Sequence, residues 1–459
     1  MAGIGFVLRK LSQQDNLIGF VRAYFNSAIL ATGPWIFTII AFWAIISSSS
    51  TFLPEADMLN FKIIVVYNFS FSAVFCGLVT LVSTRYIADC IFEKNTQPIP
   101  GMLIWTIVIS LLAQTPMAVW FYFFHSSMNW RLGLLAIVNY QIISLIWITS
   151  VYLTAIKNYN SISLAFGGGL IIAVAASYLL GQRFGVYGVT AGFNVGLGCC
   201  LAMILASILS EYPHSFKTSF SIIRYIIKFR LLLLSGLIYN IAIWIDKWIM
   251  WFAPDAEVTT SGFRINSNYD SAMFMAYLTI IPALGAFIFS LETSFHEKYL
   301  NFYNDINKKV NYAKIVSNQI ELIETLKKSI THFVLFQGVF TTIIVLLSPR
   351  LIELSGISFL RLGIFRLGVV GVFFHMLTLF LTIILSYFDC KRSILIVQTV
   401  FLLLNASLTW YCMEAGFVYY GVGYLLASLA SFAVAAILTI SHLRLLPYHT
   451  FITNNTSIE

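Results

Sequence analysis

The stretch from Leu362 to Tyr387 reads LGIFRLGVVGVFFHMLTLFLTIILSY, and Arg366 is its only charged side chain at neutral pH. An α-helix needs about 20 consecutive apolar residues to cross the hydrocarbon core of a bilayer. This stretch exceeds that length and is bounded by polar residues. It is therefore typical of a membrane-spanning helix, and it decides the class of the fold.

The composition of the whole chain agrees with this stretch. Of the 459 residues, 59% are hydrophobic and only 10% are charged, whereas soluble domains carry about 25% charged residues. A single soluble core cannot bury so much apolar surface. The composition excludes a cytosolic enzyme and predicts an all-α polytopic membrane protein.

Apolar runs of spanning length recur about twelve times along the chain. They lie at 24–47, 63–88, 102–124, 133–156, 162–181, 188–209, 229–252, 271–290, 331–347, 362–387, 393–411 and 419–441. Six spans in each half would place both halves the same way up, as in a parallel tandem repeat. We therefore expect about twelve transmembrane helices in two six-helix lobes.

The distribution of basic residues predicts the orientation. Nineteen of the 27 Lys and Arg residues fall on the side of the N-terminus, six on the other side, and two within spans. Because cytoplasmic loops carry the excess of Lys and Arg, we expect both termini in the cytoplasm. The expected segments are a cytoplasmic amphipathic N-terminus at 1–23, an amino-terminal lobe at 24–209, a cytoplasmic linker at 210–228, a carboxy-terminal lobe at 229–441 and a cytoplasmic tail at 442–459.

The longest cytoplasmic connection, at 291–330, is an expected amphipathic insertion within the carboxy-terminal lobe. Its apolar positions recur every three or four residues, as in a helix. They are Ile306, Val310, Ala313, Val316, Ile320, Ile323, Leu326 and Ile330. Such a helix could lie on the inner leaflet, dock a partner, or serve as a solvated connector.

Motifs for catalysis or cofactor binding are absent from the sequence. There is no G-x-x-x-x-G-K-[ST] loop, and His296-Glu297 is followed by Lys-Tyr-Leu, so no H-E-x-x-H zinc motif exists. A polymerase acting outside the membrane would need a large external loop, and the predicted ones are small. We expect no enzyme activity, no catalytic residues, no metal, no cofactor and no nucleic-acid partner.

Asp246 and Lys247 are ionisable residues inside the seventh span, within Trp244-Ile245-Asp246-Lys247-Trp248. A charge at the bilayer centre costs about 2.5–3.5 kcal/mol on insertion scales. Adjacent residues point about 100° apart on a helix, so we expect these two side chains not to face each other. Lys247 could extend to the membrane surface, whereas the shorter Asp246 is expected to face a wet cavity.

Arg366 lies near the outer end of the tenth span, where its side chain could reach the surface or line a cavity. Pro34 and Pro282 are possible bending points of spans one and eight. His375 sits alone in an apolar stretch and is expected to be a hydrogen-bonded core residue. The candidates for a substrate path are Asp246, Lys247, Arg366 and Trp244.

Several segments resemble the PelG family. They are Met1-Ala2-Gly3-Ile4-Gly5-Phe6, Arg9-Lys10-Leu11, Arg22-Ala23-Tyr24, Gly33-Pro34-Trp35, Thr84-Arg85-Tyr86-Ile87-Ala88-Asp89, Ile245-Asp246-Lys247-Trp248, Tyr269-Asp270-Ser271-Ala272-Met273-Phe274, Leu291-Glu292-Thr293-Ser294-Phe295 and Phe365-Arg366-Leu367-Gly368. The resemblance covers nearly the whole chain.

This resemblance implies the inner-membrane transporter of the Pel exopolysaccharide system, within the multidrug/oligosaccharidyl-lipid/polysaccharide (MOP) exporters. The implied fold, like that of MATE transporters and flippases, has twelve helices in two lobes around a central cavity. The implied cargo is a biofilm polymer rich in galactosamine and N-acetylgalactosamine. The implied partners are the lipid bilayer, a cytosolic glycosyltransferase, a cyclic-di-GMP-sensing membrane subunit and a tetratricopeptide membrane subunit.

Other functions remain as alternatives. A flippase for lipid-linked oligosaccharides would need a cationic cavity for pyrophosphate, and few intramembrane cations are visible. A cation-coupled drug exporter would need an embedded acid in the amino-terminal lobe, and the first span has none. A membrane scaffold that anchors the glycosyltransferase without transporting anything is an alternative of a different class.

Overall fold

The computed structural model describes residues 17–155, 158–212, 221–282, 284–285, 295–354 and 358–453. The described part of the chain is dominated by long helices, as the apolar runs predict. The helices up to residue 250 are α1 (Leu17–Ser49), α2 (Glu55–Phe92), α3 (Ile99–Val119), α4 (Trp130–Ala155), α5 (Tyr159–Glu211), α6 (Ser221–Lys228) and α7 (Arg230–Met250). A π-helical turn at Trp120–His125 extends α3.

A small hairpin of β1 (Glu257–Val258) and β2 (Arg264–Ile265) follows α7. The later helices are α8 (Ser267–Leu278), α9 (His296–Asn307), α10 (Tyr312–Leu354), α11 (Leu362–Tyr387), α12 (Lys391–Ala415) and α13 (Val422–Arg444). Short helical turns lie at Phe359–Arg361, Phe417–Tyr419, Leu446–Tyr448 and His449–Thr453. The predicted span at 362–387 is confirmed by α11, which has the same ends.

Ten of the described helices are long and apolar enough to cross a membrane. One of them, α5, consists of two arms joined at Gly185, whose φ of 59° breaks the helix. The arms run antiparallel, because the hydroxyl of Ser177 donates to the carbonyl of Val189 at 3.1 Å and a Cβ on Gly196 would lie 2.3 Å from that of Ala173. The two arms match the runs expected at 162–181 and 188–209, and the total of twelve spans stays a prediction.

The eighth expected span, at 271–290, lies partly outside the described residues. Its described part, α8, ends at Leu278, and Thr279 forms a turn. Pro282 has no N–H to donate to the carbonyl of Leu278, four residues earlier, and its ring would clash with that carbonyl. The proline therefore explains why α8 stops there.

The chain divides into two compact units. The amino-terminal unit comprises Gly33–Ser267, and the carboxy-terminal unit comprises Met1–Thr32 and Asn268–Glu459. In the amino-terminal unit, α4 packs against α2 and α5, and α7 packs against α2. In the carboxy-terminal unit, α13 packs against α11 and α12, and α9 packs against α10. The lobes expected at 24–209 and 229–441 stay a prediction.

Candidate functional site

The packing of α7 against α2 positions the candidate residues of the seventh span. Near the start of α7, Gly236 approaches Gly77 so closely that a Cβ on Gly236 would lie 2.0 Å from the Gly77 carbonyl oxygen. A Cβ on Gly77 would in turn lie 2.4 Å from the amide nitrogen of Asn240. Any side chain at either glycine would overlap its neighbour. The two backbones can touch only because both positions are glycine.

Toward the other end of α7, aromatic rings fill the same interface. Trp248 stacks on Phe71 with ring centroids 5.1 Å apart, and its indole N–H donates to the hydroxyl of Ser70 at 3.3 Å. Trp251 stacks on Tyr67 at 4.3 Å. Such ring pairs contribute about 0.5–1.5 kcal/mol each beyond the area they bury. The glycine contact and the stacked rings together determine which face of α7 points into the unit.

Asp246 and Lys247 lie on this stretch of α7 and form an ion pair. The Lys247 ammonium nitrogen lies 3.0 Å from both carboxylate oxygens of Asp246. It also donates to the backbone carbonyl of Ile243 at 3.0 Å. The carboxylate is fully buried, and the lysine is 8% exposed. Among the described ion pairs, this is the one in which both partners are buried.

The expectation that these neighbours would not face each other is wrong. Their Cα–Cβ bonds do diverge on the helix, but the four methylene groups of lysine let its ammonium fold back to the carboxylate. The expected extension of Lys247 to the surface is also not observed, since its nitrogen is held inside the unit. Two opposite charges removed from water need each other's attraction to offset the loss of hydration.

Trp244, the third candidate on α7, is half-buried one turn before Lys247. The Lys247 ammonium lies 6.0 Å from the centroid of the Trp244 ring. This is the outer limit of a favourable cation–π contact. The structure thus brings Trp244, Asp246 and Lys247 together. We call Asp246 and Lys247 the α7 ion pair.

Arg366, the fourth candidate, belongs to the carboxy-terminal unit and lies in the first turns of α11. Its side chain is exposed, and its Nε donates to the hydroxyl of Ser348 on α10 at 2.8 Å. Ser348 itself is fully buried. Arg366 therefore links α11 to α10 by a hydrogen bond, and its side chain stays exposed.

A buried network of asparagines was missed by sequence reasoning. Asn68 on α2 donates to Asn139 on α4 at 2.9 Å, and Asn139 donates to Asn194 on α5 at 2.7 Å. The hydroxyl of Tyr122 donates to Asn68 at 2.6 Å. All four residues are buried. The available signal was the presence of amide side chains within apolar runs, where an unpaired polar group is costly.

The expected amphipathic insertion is a hairpin of two helices, which we call the α9–α10 hairpin. The chain turns at Lys309, whose φ is 53°, and α10 then continues for 43 residues into the predicted ninth span. Asn318 donates to Asp305 across the hairpin at 2.7 Å. Tyr299 donates to the carbonyl of Tyr387 at 2.9 Å, which ties the hairpin to the end of α11.

The hairpin fully buries only part of the apolar set that a single continuous helix predicts, and it buries other residues as well. Ile315, Leu322 and Leu326 are buried on α10, whereas Ile320 is 53% exposed. The turn between α9 and α10 interrupts the helical period, so the apolar face on one side of it does not continue on the other. The exposed tip carries Lys308, Lys309, Tyr312 and Lys314.

No group of three or more His, Cys, Asp or Glu side chains is arranged to hold a metal ion within the described ranges. The α7 ion pair, with its net charge of zero, can offer hydrogen bonds and a carboxylate to a polar or cationic molecule. The asparagine network can hold three helices and the π-helical turn in a fixed arrangement.

Comparison with known proteins identifies the class of this architecture. The family model described as "PelG: Putative exopolysaccharide Exporter (EPS-E)" matches residues 1–451. No curated protein matches the chain.

Several solved structures share the fold. A MOP superfamily transporter from Pyrococcus furiosus is 13% identical with a TM-score of 0.66, over 92% of this chain and 96% of that one. A MATE transporter in the bent conformation is 14% identical with a TM-score of 0.66, over 98% of this chain and 99% of that one. An outward-facing multidrug resistance MATE transporter is 13% identical with a TM-score of 0.66, over 92% of this chain and 96% of that one. At these identities, the likeness shows the fold.

Proposed function

Since this chain belongs to the PelG family of exopolysaccharide exporters, we propose that it carries the Pel exopolysaccharide, rich in galactosamine and N-acetylgalactosamine, across the bacterial inner membrane. The observation that carries the proposal is the family match over residues 1–451 on a MOP transporter fold. A family of exporters with this fold is a family of transporters rather than enzymes. The cargo follows from the Pel system that the family resemblance implies.

The α7 ion pair supports a role in recognising an amino-sugar polymer. Galactosamine units carry ammonium groups, which have the same charge and hydrogen-bonding capacity as the ammonium of Lys247. We infer that a substrate ammonium can take the place of Lys247 beside Asp246 when the transporter opens. Trp244 would then present its ring to a sugar face, and Arg366 would interact with sugar hydroxyls or acetyl carbonyls along the path.

The α9–α10 hairpin supports the proposal that the chain works within a complex. The span in α10 is bounded by Lys328 and Arg350, so the 17 residues from 312 to 328 extend about 25 Å beyond it. We propose that both termini and this hairpin are cytoplasmic and that its basic tip contacts the cytosolic glycosyltransferase. The cyclic-di-GMP-sensing and tetratricopeptide membrane subunits complete the proposed complex.

The α7 ion pair argues against a flippase for lipid-linked oligosaccharides. A pyrophosphate group would need several cations in excess of acids inside the membrane, whereas Asp246 and Lys247 together carry no net charge. The remaining alternative is a membrane scaffold that transports nothing, and an experiment distinguishes it from an exporter.

The experiment compares cells that lack this chain with the same cells in which a plasmid restores it. Secreted and intracellular polymer are measured separately with a lectin specific for N-acetylgalactosamine. Loss of secretion with polymer retained inside the cell is the expected result for an exporter. Loss of polymer synthesis altogether, with an assembled glycosyltransferase complex, would instead indicate a scaffold.

A further inference from the structure

Phe229, between α6 and α7, is a buried ring with two cations beside it. The guanidinium carbon of Arg85 lies 5.7 Å from the ring centroid, and the ammonium of Lys228 lies 5.2 Å from it. The same ammonium lies 5.6 Å from the ring of Tyr225. Two positive charges thus lie within cation–π distance of the same aromatic ring.

The residues around these cations include packed aromatic rings and exposed apolar side chains. Tyr225 packs edge-on against Tyr86 with centroids 4.7 Å apart, which holds α6 against α2. Burial, followed by the nearby carboxylates, raises the pKa of Tyr225. Next to Lys228, Ile227 is 67% exposed, and Phe92 at the end of α2 is 88% exposed. Exposed apolar side chains beside exposed cations are typical of a segment at the membrane interface.

The local charges leave a positive excess. Asp89 pairs with Arg85 at 3.2 Å, and Glu93 lies in the same region. The two chain segments that carry Arg85 and Lys228, residues 85–94 and 228–230, contain four cations, Arg85, Lys94, Lys228 and Arg230, and these two carboxylates. In the described part of the chain, no carboxylate lies within 4.0 Å of the Lys228 ammonium. Lys228 is therefore available to an anion from outside the protein.

We propose that Arg85 and Lys228, positioned around Phe229, bind the phosphate of an anionic phospholipid in the leaflet on this side of the membrane. Arg85 offers a planar fork of N–H donors and Lys228 a compact charge, and both suit phosphate oxygens. The exposed Ile227 and Leu234 provide apolar surface for the acyl chains of the same lipid. Basic residues next to the end of a spanning helix attract anionic lipids by about 1 kcal/mol each. The site is independent of what the protein transports.

The test uses the full-length chain in detergent, with phosphatidylglycerol and phosphatidylcholine as probes, and counts retained lipids by native mass spectrometry. The expected result is preferential retention of phosphatidylglycerol, reduced about 5-fold by Lys228→Gln. The matched control is Lys327→Gln, which removes an exposed lysine of α10 that has no aromatic ring contact in the described structure. Equal losses in the two variants would overturn the proposal, because they would indicate attraction by net charge alone.

A second variant, Phe229→Leu, keeps an apolar side chain and both cations but removes the ring that positions them. Weaker retention of phosphatidylglycerol in this variant supports the proposed geometry, and unchanged retention contradicts it. Inorganic phosphate provides the other arm of the test. If millimolar phosphate displaces the lipid, the site recognises free phosphate rather than a lipid, and the proposal fails.

Discussion

The ammonium of Lys247 lies 3.0 Å from each carboxylate oxygen of Asp246, its immediate neighbour in the sequence. Because the pair is buried in α7, its two charges cancel where water is excluded. The consequence is that each residue depends on the other. A variant of one residue alone cannot separate a structural role from a transport role.

We predict that Asp246→Asn lowers the free energy of unfolding by about 3–5 kcal/mol, because it leaves the Lys247 ammonium buried without its counter-charge. The double variant Asp246→Asn, Lys247→Gln should recover most of that loss. Thermal unfolding in detergent measures both. Glu353→Gln, which breaks the exposed pair of Arg350 and Glu353, is the control and should change stability by less than about 1 kcal/mol.

The stable double variant then tests the role of Asp246 in transport. If the carboxylate interacts with the amino-sugar polymer, this variant should assemble normally and export less polymer. Secreted polymer is measured relative to the amount of protein in the membrane. Normal export by the double variant would remove Asp246 and Lys247 from the substrate path.

We predict that Gly236→Ala destabilises the amino-terminal unit by about 1–3 kcal/mol. The added methyl group would lie 2.0 Å from the carbonyl oxygen of Gly77, so α7 must move away from α2. Gly198→Ala is the matched control, since nothing lies within 4 Å of a Cβ there, and alanine favours the helix. Equal stability of the two variants, measured by thermal unfolding, would show that the α2–α7 contact is not tight.

We predict that charge reversal of Lys308, Lys309 and Lys314 to Glu weakens co-purification with the glycosyltransferase, because the tip of the α9–α10 hairpin loses its basic character. The control reverses the charges of Lys327 and Lys328, which lie on the same helix more than three turns after Lys314. The amount of glycosyltransferase recovered per transporter is the measurement. An unchanged complex together with unchanged export would identify the hairpin as a solvated connector.

We predict that a cysteine introduced at Val310 is protected from a membrane-impermeant maleimide in intact spheroplasts, whereas one at Thr260 reacts. The reason is the concentration of Lys and Arg on the side of residue 310. The unsubstituted chain, with its six native cysteines, provides the background. The opposite labelling pattern would invert the proposed topology.

Apolar runs in the sequence determined the class of the protein and the position of most spans, because insertion into a bilayer depends on the composition of each segment by itself. The span at Leu362–Tyr387 illustrates this, since its ends in the sequence and in the structure coincide. The end of α8 at Leu278 also follows from a local cause, the proline four residues later. The family resemblance likewise rests on short segments that can be identified in the sequence alone.

The tertiary structure alone decided which side chains meet. Gly77 and Gly236 are 159 positions apart in the sequence, and their contact depends on how α2 and α7 are rotated and aligned. Hydropathy does not determine that rotation, because in lipid the apolar faces of a helix are equivalent and packing and hydrogen bonds select among them. The same rotation decides that the Asp246–Lys247 pair lies inside the unit, and only the structure determined that Arg85 and Lys228 share the ring of Phe229.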